Sequence, residues 1–167
     1  RHAGIAWDRL LQCSVESVMK AHGLASGTLV IDDTEKRRSK KTTRIWGVSK
    51  MLDKTTSGFM FGQNIVLLLL VTPSITVPVG FKFYRPDPEQ TRWAAQEKKL
   101  KKNGVLKKDR PAKPQNRSEF PTKLIIALRL VEQFKQEHPA IQVKAILADA
   151  AYGAASFMDA LCDTIQI

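Results

Sequence analysis

Two apolar segments of this chain stop abruptly on carboxylates: Leu29-Val30-Ile31-Asp32-Asp33-Thr34 and Ala145-Ile146-Leu147-Ala148-Asp149-Ala150. Each is short and rich in aliphatic residues, and the first, whose run begins at Thr28, follows Gly27, which is the pattern of a buried β-strand. In α/β sheets, ligands gather outside the carboxyl ends of parallel strands. If the two segments are neighbours, Asp32 and Asp149 face each other across about 5 Å of sheet spacing. Carboxylates that close repel unless a cation lies between them or one takes up a proton. Oxygen-only ligation by paired aspartates suits Mg2+ or Mn2+ rather than zinc. The simpler role for either residue is to cap the turn that follows its strand.

The segments between them set the architecture. Ile45-Trp46-Gly47-Val48 is a candidate second strand. Phe59 to Val71 and Ile75 to Tyr84 read as two more, joined by a turn at Thr72-Pro73-Ser74, with Pro78 marking an edge or a bulge. From about 85 to 121 a lysine-rich stretch is punctuated by five prolines and holds one helix, Thr91 to Lys102. It is too long to be a plain connector. Thr122 has the character of a helix N-cap, followed by Leu124, Ala127, Leu128, Val131 and Phe134 at helical spacing and closed by Pro139. A strand over 142–149 and a helix over 154–162 complete the order, and the last residues, Asp163 to Ile167, begin to read as a strand. Short turns make the first strands antiparallel, and the helical crossover makes the later strand parallel to the first. The expected fold is α/β, a mixed sheet with at least one helical face. Residues 1–27 form a helical lead-in, and 28–167 form the main domain with its basic insertion.

Charge narrows the partners. The 167 residues carry a net charge of +11, and two segments account for all of it: 36–54 and 85–123 hold +7 each, leaving −3 elsewhere. That distribution points to a polyanion, nucleic acid before membrane. The strongest apolar run, Ile65 to Val71, is far shorter than the roughly 20 residues that span a bilayer. The chain begins at Arg1 with no visible leader, which reads as a fragment or a processed chain from a cytoplasmic protein. Cys13 and Cys162 exclude a disulfide scaffold and read as core thiols. No Ser-His or Cys-His constellation suggests covalent catalysis, and His2, His22 and His138 share no metal-ligand spacing.

The ordered pieces LVIDDTEKRRSKKT, GQNIVLLLLV, VPVGFKFYRPDP, FPTKLIIAL and ILADAAYG resemble the DDE-type transposases of bacterial insertion sequences. The resemblance covers roughly residues 28–160. It implies an RNase H-like catalytic domain with two metal ions (Mg2+ or Mn2+) held by an Asp-Asp-Glu triad. The first acid of that triad would be Asp32, in a D-x-T setting, with Asp33 as the register alternative, and the second would be Asp149. Both Asp32 and Asp149 would be metal ligands. The metals would activate water for phosphodiester hydrolysis and then the released 3′-OH for strand transfer. The third acid would follow Asp149, but no glutamate does, so the expectation is the N-terminal portion of a catalytic domain, inactive alone. The partners implied are transposon ends and target DNA in a nucleoid setting, with dimerisation on paired ends.

Within that resemblance, Lys36, Arg37, Arg38, Lys40, Lys41 and Arg44 would follow the first catalytic strand and hold phosphates near the mouth of the site. Lys98, Lys99, Lys101, Lys102, Lys107 and Lys108 would do so from the insertion. Tyr84 and Trp93 anchor that insertion or stack on bases, and Trp7 and Trp46 are core or partner contacts. Two other classes compete: a non-catalytic DNA-binding remnant of a transposase, and a haloacid dehalogenase-type phosphatase. The phosphatase motif, D-x-D-x-T, fails at Thr34.

Overall fold

The structure is a computed structural model that describes residues 4, 6–39, 45–53 and 55–165. Five strands form one mixed sheet: β1 (Ser26–Arg38), β2 (Ser49–Leu52), β3 (Phe59–Val71), β4 (Thr76–Tyr84) and β5 (Gln142–Ala148). β3 pairs antiparallel with β1 along one side, while β2 and β4 share its other side. β5 pairs parallel with β1, from Ser26↔Gln142 to Ile31↔Ala148. Antiparallel first strands with a later strand parallel to the first are the topology of an RNase H-like fold.

One face of the sheet holds the core. The pairs Leu29↔Leu70 and Ile31↔Leu68 set four side chains on that face, none more than 1% exposed. Burying each from water contributes about 1.5–3 kcal/mol, an upper figure for a compact unfolded chain. Three helices share this core: α1 (Trp7–Ala21) through Val15 and Met19, α3 (Lys123–Glu137) and α4 (Ala155–Ile165) through Phe157, Leu161 and Ile165. Thr122 caps α3, its Oγ1 accepting from the Ile125 amide at 3.3 Å. The buried stripe of α3 is Ile126, Ala127, Leu130, Val131 and Phe134. Gly80 lets this helix approach: a Cβ there would lie 3.1 Å from Leu130 Cδ2. β4 is an edge strand, and the pairing shifts between Leu68 and Leu69, opposite Pro78, which supplies no ladder N–H.

Several sequence expectations need correction. β1 does not stop at its aspartates but runs on to Arg38, paired with β3 alone, so Lys36, Arg37 and Arg38 belong to the strand itself. Residues 45–48 form a turn in which Gly47 takes φ +76°, and the strand lies beyond them at Ser49–Leu52. Thr164 and Ile165 continue α4 rather than starting a strand. Cys13 and Cys162 are exposed, because the buried stripes of their helices run through Val15 and Met19 and through Phe157 and Leu161. Trp7 and Trp46 are each 61% exposed, so neither is a core residue.

The basic insertion is built rather than loose. Its helix α2 (Pro88–Lys102) starts three residues earlier than the charge pattern suggests, since Asp87 caps it and Pro88 occupies the first turn. Asp87 Oδ1 accepts from the Glu89 amide at 2.8 Å, and Arg117 grips both carboxylate oxygens. Trp93 Nε1 donates to Pro111 O at 3.0 Å, and Arg110 pairs with Glu97 at 2.9 Å. Hydrogen bonding from Arg117, first, holds the Asp87 carboxyl down at about 2. A lowered carboxylate stabilises fully above its unfolded value near 4 and loses that contribution as pH falls through about 2. The insertion is therefore expected to loosen between about pH 4 and 2, followed by Trp93 fluorescence. Arg117→Met should move that loosening to higher pH.

Candidate active site

Sheet register sorts the acids onto two faces. Asp33 pairs across to Val66, in step with Leu29 and Ile31, and so lies on the helix-covered face. Asp32 pairs across to Leu67, in step with Val30, on the opposite face, and it is exposed. The last parallel pair between β1 and β5 is Ile31↔Ala148, so Asp32 and Asp149 come next on neighbouring strands.

Asp33 is firmly held. Its Oδ2 accepts from Lys123 Nζ at 2.7 Å and from Asn64 Nδ2 at 3.1 Å. Lys123 is the first residue of α3, so the Thr122 cap places this cation, and its ammonium also lies 5.5 Å from the centre of the Tyr84 ring. Asp32 Oδ1 accepts from the Asp33 amide at 2.7 Å and is otherwise open to solvent. Asp149 caps the 3-10 turn Ala150–Tyr152, its Oδ1 accepting from the Ala151 amide, and remains exposed. The capping role and a ligand role coexist there, because a carboxylate has two oxygens.

Tyr152 lies within electrostatic reach of all three acids. It is 2% exposed, and burial drives its hydroxyl well above the usual phenol range, with the charges of Asp33, Asp149 and Asp32 adding in that order. All three carboxylates therefore act on one hydroxyl, which stays protonated at physiological pH. Neither that hydroxyl nor Asn64 Oδ1, both buried, has a hydrogen-bond partner among the described residues. Deleting a buried hydroxyl that makes no bond removes a desolvation cost. Tyr152→Phe is thus expected to leave stability within about 1 kcal/mol of the parent, or to raise it, as read by urea unfolding.

The site differs from the sequence expectation in its surroundings. Lys36 and Arg37 are exposed on β1, while Arg38 Nε donates to Gln63 Oε1 at 2.8 Å. Rising about 3.3 Å per residue, the strand carries these cations roughly 13–20 Å beyond Asp32. Lys40, Lys41 and Arg44 lie outside the described residues. Lys98, Lys99, Lys101, Lys102, Lys107 and Lys108 are all exposed, on α2 and the short turn after it. Tyr84 and Trp93 pack within the insertion and its base. Sequence reasoning missed Lys123 and Asn64, whose only signals were a helix cap and a polar residue inside an apolar strand.

The two aspartates thus follow the parallel pair of a mixed sheet in a chain that also carries a cation-rich insertion. The chain is a member of the DDE superfamily endonuclease family, whose model matches residues 1–165. No curated protein and no solved structure matches the chain. No helix among the described residues is long and apolar enough to cross a membrane.

Proposed function

We propose that this chain carries the first two acids of a transposase that cuts and joins DNA strands, with Asp32 and Asp149 as its metal ligands. The observation that carries the reading is the register: two exposed carboxylates follow the last pair of adjacent parallel strands in a DDE-family chain. Their donor set fits a hard divalent cation, since it offers carboxylate oxygens alone. Among the described residues no group of three or more His, Cys, Asp or Glu side chains stands close enough to hold a metal. No glutamate follows Asp149 in these 167 residues, so only the Asp-Asp pair is assigned. A bound Mg2+ or Mn2+ supplies the activation of water or of a 3′-OH.

The protein's own residues prepare that site. Lys123 neutralises Asp33, so the carboxylate next to Asp32 does not add a full charge to the pair. Asn64 holds Asp33 on the helix face, leaving Asp32 directed to the other. The exposed lysines of the insertion attract the phosphate backbone and make binding weaken with salt.

Paramagnetic Mn2+ tests the assignment on this chain directly. Mn2+ should broaden the amide NMR signals of residues 31–33 and 148–150 selectively, and Asp32→Asn or Asp149→Asn should remove the effect. Broadening that persists in both variants would overturn the ligand pair.

A further inference from the structure

A cleft of about 260 Å3 opens beside the outer side of β4, away from the acidic pair, with Trp46, Phe83, Arg85, Ile126, Arg129 and Leu130 in its walls. Its aromatic floor is unusual in being mounted yet uncovered. Trp46 is 61% exposed, although its backbone is fixed by Gln63, a residue only 3% exposed whose Nε2 donates to Trp46 O at 2.7 Å. Gly47, at φ +76°, turns the chain just after it. Phe83 meets the indole edge-on at 6.0 Å, and the Arg85 guanidinium sits 5.6 Å from its centre and 4.4 Å from that of Phe120. An apolar ring placed by these contacts yet left exposed has the arrangement of a stacking platform.

The charges of the cleft point the same way. Lys82 is paired with Asp8 at 2.9 Å, and Glu119 lies 3.4 Å from Arg117. Arg85 and Arg129 make no ion pair among the described residues. An exposed ring beside two uncompensated guanidinium groups suits a ligand with a flat face and an anionic edge. Aromatic platforms with neighbouring cations bind unpaired nucleotides through stacking and phosphate contact. The cleft belongs to the same sheet as the acids: Phe83 pairs with Ile65, which pairs with Thr34, two residues beyond Asp32 on β1.

We propose that this cleft takes an unpaired nucleotide of the DNA substrate, its base stacked on Trp46 and its phosphate held by Arg85 and Arg129. The inference rests on the DNA reading above and specifies where a strand departs from the duplex. Because Trp46 is largely exposed, Trp46→Ala should fold normally.

Fluorescence anisotropy with a labelled single strand and the matching blunt duplex tests it. Trp46→Ala is expected to weaken single-strand binding by about 5- to 100-fold and duplex binding by less than about twofold. Trp46→Phe should keep most of the affinity. Arg85→Gln should lower the salt slope for the single strand by about 0.7. Single-strand affinity unchanged in Trp46→Ala, with duplex binding intact, overturns the cleft alone. Equal losses on both DNAs also overturn it, since the ring would then be contacting backbone. A parent protein that binds neither DNA removes the DNA reading and the cleft together.

Discussion

In a full-length protein that supplies the third acid, Asp32→Asn and Asp149→Asn are each expected to lower Mg2+-dependent strand cleavage by about 10²–10³-fold or more, with folding and DNA affinity preserved. The substitutions are isosteric, so the local backbone contacts survive. An amide oxygen at 149 still accepts from the Ala151 amide, and one at 32 still accepts from the Asp33 amide. What is lost is the negative charge that a hard cation requires. Asp33→Asn separates the two aspartates of β1. Its partners are Lys123 and Asn64, so the expected result is a protein destabilised by an unpaired, part-buried ammonium, with cleavage reduced far less. Cleavage lost in Asp33→Asn and kept in Asp32→Asn would transfer the ligand role to Asp33. Cleavage kept in Asp149→Asn would end the assignment of the pair.

The strands that position these acids were legible because their signals are local. Phe59 to Val71 is mostly apolar, with the unbroken run Ile65 to Val71 at its end, and β3 has those bounds. Thr122, followed by a helical stripe, fixes the start of α3 through chemistry contained in four residues. The parallel pairing of β1 with β5 followed from a topological rule that needs only the intervening helix. What could not be read was long-range. Lys123 and Asp33 are 90 residues apart, and nothing in either neighbourhood announces their 2.7 Å contact. The continuation of β1 through Lys36-Arg37-Arg38 was hidden because charge suggests a turn. An edge-ward strand stretch paired on one side tolerates it, since the side chains reach solvent. Trp46 misled for the same reason in reverse: hydrophobicity suggests burial, yet only the tertiary position of Gln63 decides where that residue is held.

Phe134→Ala should be the most destabilising single truncation of the core, by about 3–5 kcal/mol in urea or thermal unfolding. Phe134 heads the fully buried side chains by volume, at 1% exposure, and its ring also lies 5.2 Å from that of His138. Its loss leaves a cavity beside the last turn of α3, in the buried cluster that Phe134 shares with Leu130 and Val131, where close packing leaves little room to collapse. The consequence reaches the acids because α3 carries Lys123 at its first turn. A helix that shifts or frays withdraws the ammonium from Asp33, and the repulsion between Asp33 and its acidic neighbours then rises. Phe134→Leu, which refills most of the volume, should recover more than half of the loss. A Phe134→Ala protein as stable as the parent would mean that α3 is not the element clamping the sheet, and Lys123 would then need another support.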